Sequence, residues 1–346
     1  MKKNRLYSYV SSVFAGAVAL MMAMAASSCN DLIYEDLDDC DRGLKVRFVY
    51  DYNMEFANAF PAQVHCLTLL VYDGAGKYVR TVAATDREQL SDEYWRMTLD
   101  LPAGKYQLLA YGGMECADAS FRFVTEPGPQ VAMTSLKVEL EQSQLTSPVG
   151  TDLHPLFYGY LGDLTVSQSD TDYREVTVNM MKDTNNLRIL LQNISGTPVD
   201  EADFRFELTD NENSLFNWDN SLLPVEEFAY MPWAQGNAEY IFTDDEDHVS
   251  TAAFAEFSTS RFTTASKTRL TIVRASDNRT ILSIPLVQYL LMLKSQHFDY
   301  MKSQEFLDRE SRWNVIFFLD SDKGGTWVTT HFVVNNWTVR INNISM

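Results

Sequence analysis

Leu44-Lys45-Val46-Arg47-Phe48-Val49-Tyr50-Asp51 sets Leu44, Val46, Phe48 and Tyr50 on one side of the chain and Lys45, Arg47 and Asp51 on the other. A β-strand turns successive side chains to opposite faces, so this spacing predicts a strand with one face buried and one in water. Moving outward, a second strand is expected from Val64 to Tyr72. Asp73-Gly74-Ala75-Gly76 then turns the chain into Lys77 to Val82, a hairpin with a slightly long loop. Trp95, Met97, Leu99 and Leu101 lead through Pro102-Ala103-Gly104 into Lys105 to Tyr111, where Tyr106, Leu108 and Ala110 share a face; the spacing predicts a second hairpin. Strands are also expected at Ser120 to Val124, Leu136 to Leu140 and Glu175 to Met181. Residues 44–183 therefore read as an all-β sandwich of about seven strands.

Residues 184–346 repeat the character of the first unit without a short-period repeat. Leu187, Ile189 and Leu191 alternate with Arg188, Leu190 and Gln192, and strands are expected at Phe204 to Leu208, Ala238 to Phe242, Arg269 to Arg274, Val315 to Leu319, Trp327 to Val334 and Thr338 to Ile344. The one stretch that reads as helix lies between Pro285 and Arg312. There Leu286, Leu290, Leu293 and, after a break, Phe306 and Leu307 form an apolar stripe, with Ser303 placed to cap the second short helix. Two tandem β-sandwiches, the second with a short helical insertion, account for the pattern.

The chain has 346 residues, 46% hydrophobic and 22% charged. At roughly 150 residues per domain this length fits two units that can each bury a core. The formal net charge is -19. Nucleic-acid binding draws its affinity from Lys and Arg on phosphates, so an acidic chain with no basic block beyond its first residues is not read as a nucleic-acid binder.

The first thirty residues differ from the rest. Lys2, Lys3 and Arg5 precede an apolar run from Val13 to Ala26, and the small residues Ala25, Ala26, Ser27 and Ser28 lead to Cys29. Such a run is too short for a bilayer core, which takes roughly 20 helical residues, and reads as a secretory signal over residues 1–28. A cysteine directly after the small residues resembles the lipobox of bacterial lipoproteins, in which the thiol is acylated and becomes the mature N-terminus. Ala26 stands where that box usually has Leu; an ordinary signal with a coincidental cysteine is the alternative. Residues 29–43 form an acidic tether, resembling the surface-export signal of Bacteroidetes lipoproteins or serving as a solvated spacer. Two or three acyl chains hold a protein at a bilayer where one does not.

Three further cysteines, Cys40, Cys66 and Cys116, enter an oxidising compartment, where one disulfide and one leftover thiol allow three pairings. None has zinc-ligand spacing, and no metal is expected. The run Asp244-Asp245-Glu246-Asp247 before His248 offers carboxylates to calcium but lacks the alternating ligands and central glycine of an EF-hand loop. His154 and His331 stand apart in sequence from any nucleophile. No HExxH, GxSxG, P-loop, CxxC or GxGxxG signature is present, so neither catalysis nor a cofactor is expected. Trp218 and Trp233 could stack on sugar rings or pack in the interior.

Taken in order, lipobox Cys29, Asp39-Cys40-Asp41-Arg42-Gly43-Leu44-Lys45-Val46-Arg47-Phe48, Val71-Tyr72-Asp73, Gly76-Lys77-Tyr78-Val79 and Leu101-Pro102-Ala103-Gly104-Lys105-Tyr106 resemble the FimB-type and minor-fimbria anchor lipoproteins of Bacteroidales. The far end is similar too, in Glu305-Phe306-Leu307-Asp308-Arg309-Glu310, Trp313 to Leu319 and Asn336-Trp337-Thr338-Val339-Arg340-Ile341-Asn342-Asn343. Tyr111 departs from the tryptophan expected after the Leu-Leu-Ala strand. The resemblance implies two transthyretin-like sandwiches, fimbrial shaft subunits as partners, and a lipid-anchored place in the outer membrane at the base of a surface fimbria. It also implies that shaft subunits lose their first strand to an arginine-specific protease while anchors do not. A surface glycan-binding lipoprotein is the alternative function.

Overall fold

The computed structural model describes residues 42–141, 143, 152–170, 172–242, 248–292, 294, 298–319, 331–334 and 337–340. The signal over residues 1–28, Cys29, Cys40, the acidic run Asp244 to Asp247, Leu293 of the helical stripe, and the Trp327 to Thr330 and Ile341 to Ile344 parts of two expected strands lie outside them.

Among the described residues nine strands arise before residue 183: β1 (Gly43–Val49), β2 (Leu67–Asp73), β3 (Tyr78–Ala84), β4 (Met97–Asp100), β5 (Gly104–Gly112), β6 (Phe121–Phe123), β7 (Lys137–Leu140), β8 (Phe157–Val166) and β9 (Tyr173–Lys182). Seven of them join in the order β3-β2-β5-β8-β9-β1-β4. The link between β8 and β9 is only the short ladder from Phe157↔Lys182 to Gly159↔Met180, so the strands turn a corner there. One apolar core then holds Leu44, Val46 and Phe48 of β1, Leu69 and Val71 of β2, Leu108 and Ala110 of β5, and Val178 of β9. The β1 alternation thus points its apolar face inward, as its period requires. In the β2–β3 hairpin the Asp73 carboxylate accepts from the backbone N–H groups of Ala75 and Lys77, both at 2.9 Å, and Gly76 takes φ +77°.

The second hairpin expected at Pro102 does not form. β4 pairs with β1, whereas β5 pairs with β2 and β8, so Leu101 to Ala103 carries the chain between layers. Leu99 and Leu108 reach the same core from opposite sides. Periodicity fixes which face of a strand is buried, not which strand lies beside it, and both arrangements satisfy this alternation. Two short helices not expected from sequence, α1 (Phe60–Gln63) and α2 (Arg87–Ser91), cover this half, and Asp86 caps α2 by accepting from Glu88 and Gln89 N–H.

From residue 184 the strands are β10 (Thr184–Asn193), β11 (Phe204–Asp210), β12 (Leu215–Asn217), β13 (Phe228–Tyr230), β14 (Ala234–Phe242), β15 (His248–Ser260), β16 (Arg269–Arg274), β17 (Thr280–Pro285), β18 (Arg312–Leu319), β19 (His331–Val334) and β20 (Trp337–Arg340). They build a sheet β14-β15-β10-β18-β19-β20 and a second sheet β13-β11-β16-β17, with Leu187, Ile189, Phe206, Phe257, Ile272 and Phe317 in one core cluster. The fold is all-β, with helices as minor additions. The insertion holds α3 (Leu286–Leu291) and α4 (Ser303–Arg309), whose Leu286, Leu290, Phe306 and Leu307 are buried as the stripe predicts. Ser303 is the first residue of α4 rather than its cap; Lys302 takes that place without a side-chain bond.

β12 leaves its own half to pair with β7, making a sheet β12-β7-β6 that draws on both halves. It lies over the outer face of β2 and β5, so Leu70, Tyr72, Leu109 and Tyr111 share a core cluster with Val138, Phe216 and the second half. β2 is therefore buried on both faces, which is why Leu67 to Tyr72 is almost continuously apolar.

Candidate functional site

Three places on this frame bring functional groups together: the entry of the chain at β1, the joint between the halves, and a cysteine–histidine cluster beside β2.

At the entry, β1 lies inside its layer, parallel to β9 from Gly43↔Tyr173 to Val49↔Asn179 and antiparallel to β4. Leu44 and Val46 are wholly buried. Gly43 is required by close approach, because a Cβ there would stand 1.8 Å from the Leu99 carbonyl oxygen. Arg42, the residue before it, accepts the Leu101 N–H at its carbonyl at 3.2 Å and reaches the Gln168 carbonyl with its guanidinium at 3.4 Å. The loop after β1 is tied to the second half. The Arg309 guanidinium of α4 sits 4.2 Å from the Tyr52 ring centre and 4.5 Å from that of Phe56, donates to the carbonyls of Asp51 and Asn53, and pairs with Glu305.

At the joint, Asp183 is the single residue between β9 and β10 and is fully buried. One of its oxygens accepts from Asn220 Nδ2 at 2.9 Å; the other has no partner among the described residues. Burial pushes this carboxyl up to about 7, against the pull of Arg261 and of the Asn220 hydrogen bond. Arg261 forms a two-pronged pair with Asp308 at 2.8 and 3.0 Å and donates to the Asn220 carbonyl at 3.0 Å, while Gln304 donates to Asp308 and to the Phe262 carbonyl.

In the cluster, Cys66 and Cys116 are joined as a disulfide with their Cα atoms 5.7 Å apart. His154 Nε2 stands 3.2 Å from Cys116 Sγ, and its Nδ1 stands 3.1 Å from an Asp118 carboxylate oxygen. His154 is isolated only in sequence, since 38 residues separate it from the sulfur it touches. The pairing of β2, β5 and β8 creates this group, and no local spacing announces it. Asp118 is held below the usual carboxylate range; its slight burial works upward and is outweighed by His154 through charge and hydrogen bond.

Of the two tryptophans, Trp233 is half-buried, and Trp218 packs half-buried on the main core with its ring edge-on to Tyr160, centroids 5.9 Å apart. Among the described residues no helix is long and apolar enough to cross a membrane.

The sequence profile of fimbrillin-A associated anchor proteins Mfa1 and Mfa2 matches residues 37–343. The chain belongs to this Mfa2 family. It is thereby a fimbria-associated protein of an anchor type that is in general non-enzymatic. Beside this Mfa2-family chain stands a candidate adhesin from Bacteroides thetaiotaomicron, 48% identical with a TM-score of 0.82 over 89% of this chain and 100% of that one. A candidate polysaccharide-binding protein from the same organism is 30% identical, TM-score 0.72, over 86% of this chain and 98% of that one. The fimbrial anchor protein Mfa2 of Porphyromonas gingivalis has the same fold at 16% identity, TM-score 0.66, over 88% of this chain and 100% of that one. No curated protein matches by sequence.

Proposed function

We propose that the protein is an outer-membrane lipoprotein, acylated at Cys29, that fixes a surface fimbria to the cell and limits its length through non-catalytic, strand-mediated association with shaft subunits. Backbone hydrogen bonds supply the affinity of such strand addition and alternate side-chain pockets its register. The observation that carries the reading is the place of β1. Between Cys29 and β1 the only Arg or Lys is Arg42, directly before Gly43, and 51–63 after the strand contain neither. An arginine-specific protease cutting at Arg42 releases the tether and leaves β1 in its layer, where Leu44 and Val46 are sealed. No groove opens from this end, as a polymerising subunit needs. An uncut chain keeps its lipid, and an anchor needs that lipid.

The test is made on cells. Cys29→Ala is expected to move the protein from the detergent to the aqueous phase, and deletion of the gene to leave fimbriae assembled but shed or abnormally long. Mature protein beginning after β1 and present many times per filament makes it a shaft subunit and ends the anchor reading.

Glycan binding is the second reading, favoured by the exposed Tyr160 beside Trp218. A glycan array without signal at millimolar ligand removes it.

A further inference from the structure

Cys66 directly precedes β2, Cys116 lies in the loop after β5, and His154 lies just before β8. Because β5 pairs with both β2 and β8, the three side chains meet, and their two Sγ atoms and a ring nitrogen of His154 all lie within 4.8 Å of one another. The Asp118 carboxylate faces His154 Nδ1, a geometry that in a neutral ring favours the tautomer with its proton there and the Nε2 lone pair toward Cys116. A disulfide sulfur has no proton to offer that lone pair. A carboxylate that fixes the far nitrogen of an imidazole is how zinc-binding histidines are oriented and made more basic. Two sulfurs and one imidazole are also the donor set that thiophilic divalent ions select.

We propose that Cys66, Cys116 and His154 form a site with two states, a disulfide when oxidised and, when reduced, a Cys2His site for one divalent cation of the zinc class with its fourth position open to solvent. Reduction adds two electrons and two protons to the S–S bond, supplied by a dithiol that itself becomes a disulfide. Metal binding then releases both thiol protons as the two Sγ–metal bonds form. With Zn–S near 2.3 Å the sulfurs of a tetrahedral site stand roughly 3.8 Å apart. The Cys116 backbone bonds to Met114 and Ala119 within its own loop, and in the proposed reduced state the sulfurs part by rotation of the Cys116 side chain. Asp118 is the positioning residue, acting only through His154.

The experiment uses detergent-solubilised mature protein carrying Cys40→Ser, oxidised or reduced with a phosphine, titrated with zinc against a chromophoric chelator. Cobalt in place of zinc reports thiolate ligation through its charge-transfer band. Expected are one equivalent of zinc on the reduced protein, none on the oxidised, and a thiolate–cobalt band. His154→Ala should weaken binding by more than tenfold and Asp118→Asn by about tenfold. Asp118 has an exposed side chain, so its variant reads the site without disturbing the core. Reduced protein that takes up no zinc, binding without the thiolate band, or wild-type affinity in either variant overturns the proposal.

Discussion

The substitution Asp183→Asn tests whether the joint between the halves carries a neutral carboxylic acid. Burial raises this group from its ordinary value of 3.8 to about 7, so between those limits the folded chain holds a proton that the unfolded chain has released. The sign follows directly. Its contribution is most favourable below the unfolded value, declines as pH rises toward the folded one, and is flat beyond. At about 1.4 kcal/mol per pH unit the full decline is about 4 kcal/mol. The chain has a pI near 4.6, so solubility favours working between about pH 5.5 and 8.5, and the slope inside that window amounts to about 2 kcal/mol. The introduced carboxamide keeps an oxygen for the Asn220 amide and does not titrate. Lys182, pushed down to about 8 by burial, titrates in both proteins and drops out of the comparison. Urea unfolding at a series of pH values should show the variant gaining about 2 kcal/mol on wild type as pH rises through the window. A pH-independent difference would refute a protonated Asp183.

Removing the disulfide with the double substitution Cys66→Ser and Cys116→Ser should lower stability by about 4 kcal/mol, the chain-entropy value for a closed loop of 50 residues; peptide mapping without reductant should find Cys66 linked to Cys116 and Cys40 free. Asp308→Ala strands the largely buried Arg261 charge and should cost about 3 kcal/mol in denaturant unfolding, and a loss below about 1 kcal/mol speaks against the pair as a structural tie. Gly43→Ala drives a methyl group onto the Leu99 carbonyl and should loosen β1 from β4 by about 2 kcal/mol. Hydrogen exchange at Leu44 to Val46 reads that loosening directly, and unchanged protection contradicts it.

Much of the frame is legible where one face of an element is wet. β1, the Asp73 turn and the helix pair in the second half follow from period and turn chemistry alone. β15 is long yet hidden, because Ala252, Ala253 and Ala255 with Ser258, Thr259 and Ser260 give no contrast between faces, although all six are buried. β8 is masked by Gly159, Gly162 and Asp163, the last at φ +56°. The transfer of β12 to β7 and the raised carboxyl of Asp183 depend on contacts between distant segments, which local pattern does not encode. The cluster is invisible for the same reason. Each of its members is unremarkable in its own stretch of chain, and three pairings of the cysteines stay open until β2 and β5 are placed side by side.

The parallel setting of β1 against β9 has a mechanical side. β1 begins at Gly43, and β9 passes the chain on beyond Lys182. A pull between those two points acts on opposite ends of parallel neighbours, so the ladder from Gly43↔Tyr173 to Val49↔Asn179 is stressed in shear, all rungs together. A hairpin such as β2–β3, drawn apart at its open end, yields rung by rung instead. The second half repeats the device, since β10 runs parallel to β18 from Asn186↔Arg312 to Asn193↔Leu319. Tension entering at Thr184 and leaving past Leu319 again meets its hydrogen bonds lengthwise. In the proposed anchor role, drag on the fimbria reaches the chain as such tension, and both parallel ladders meet it lengthwise.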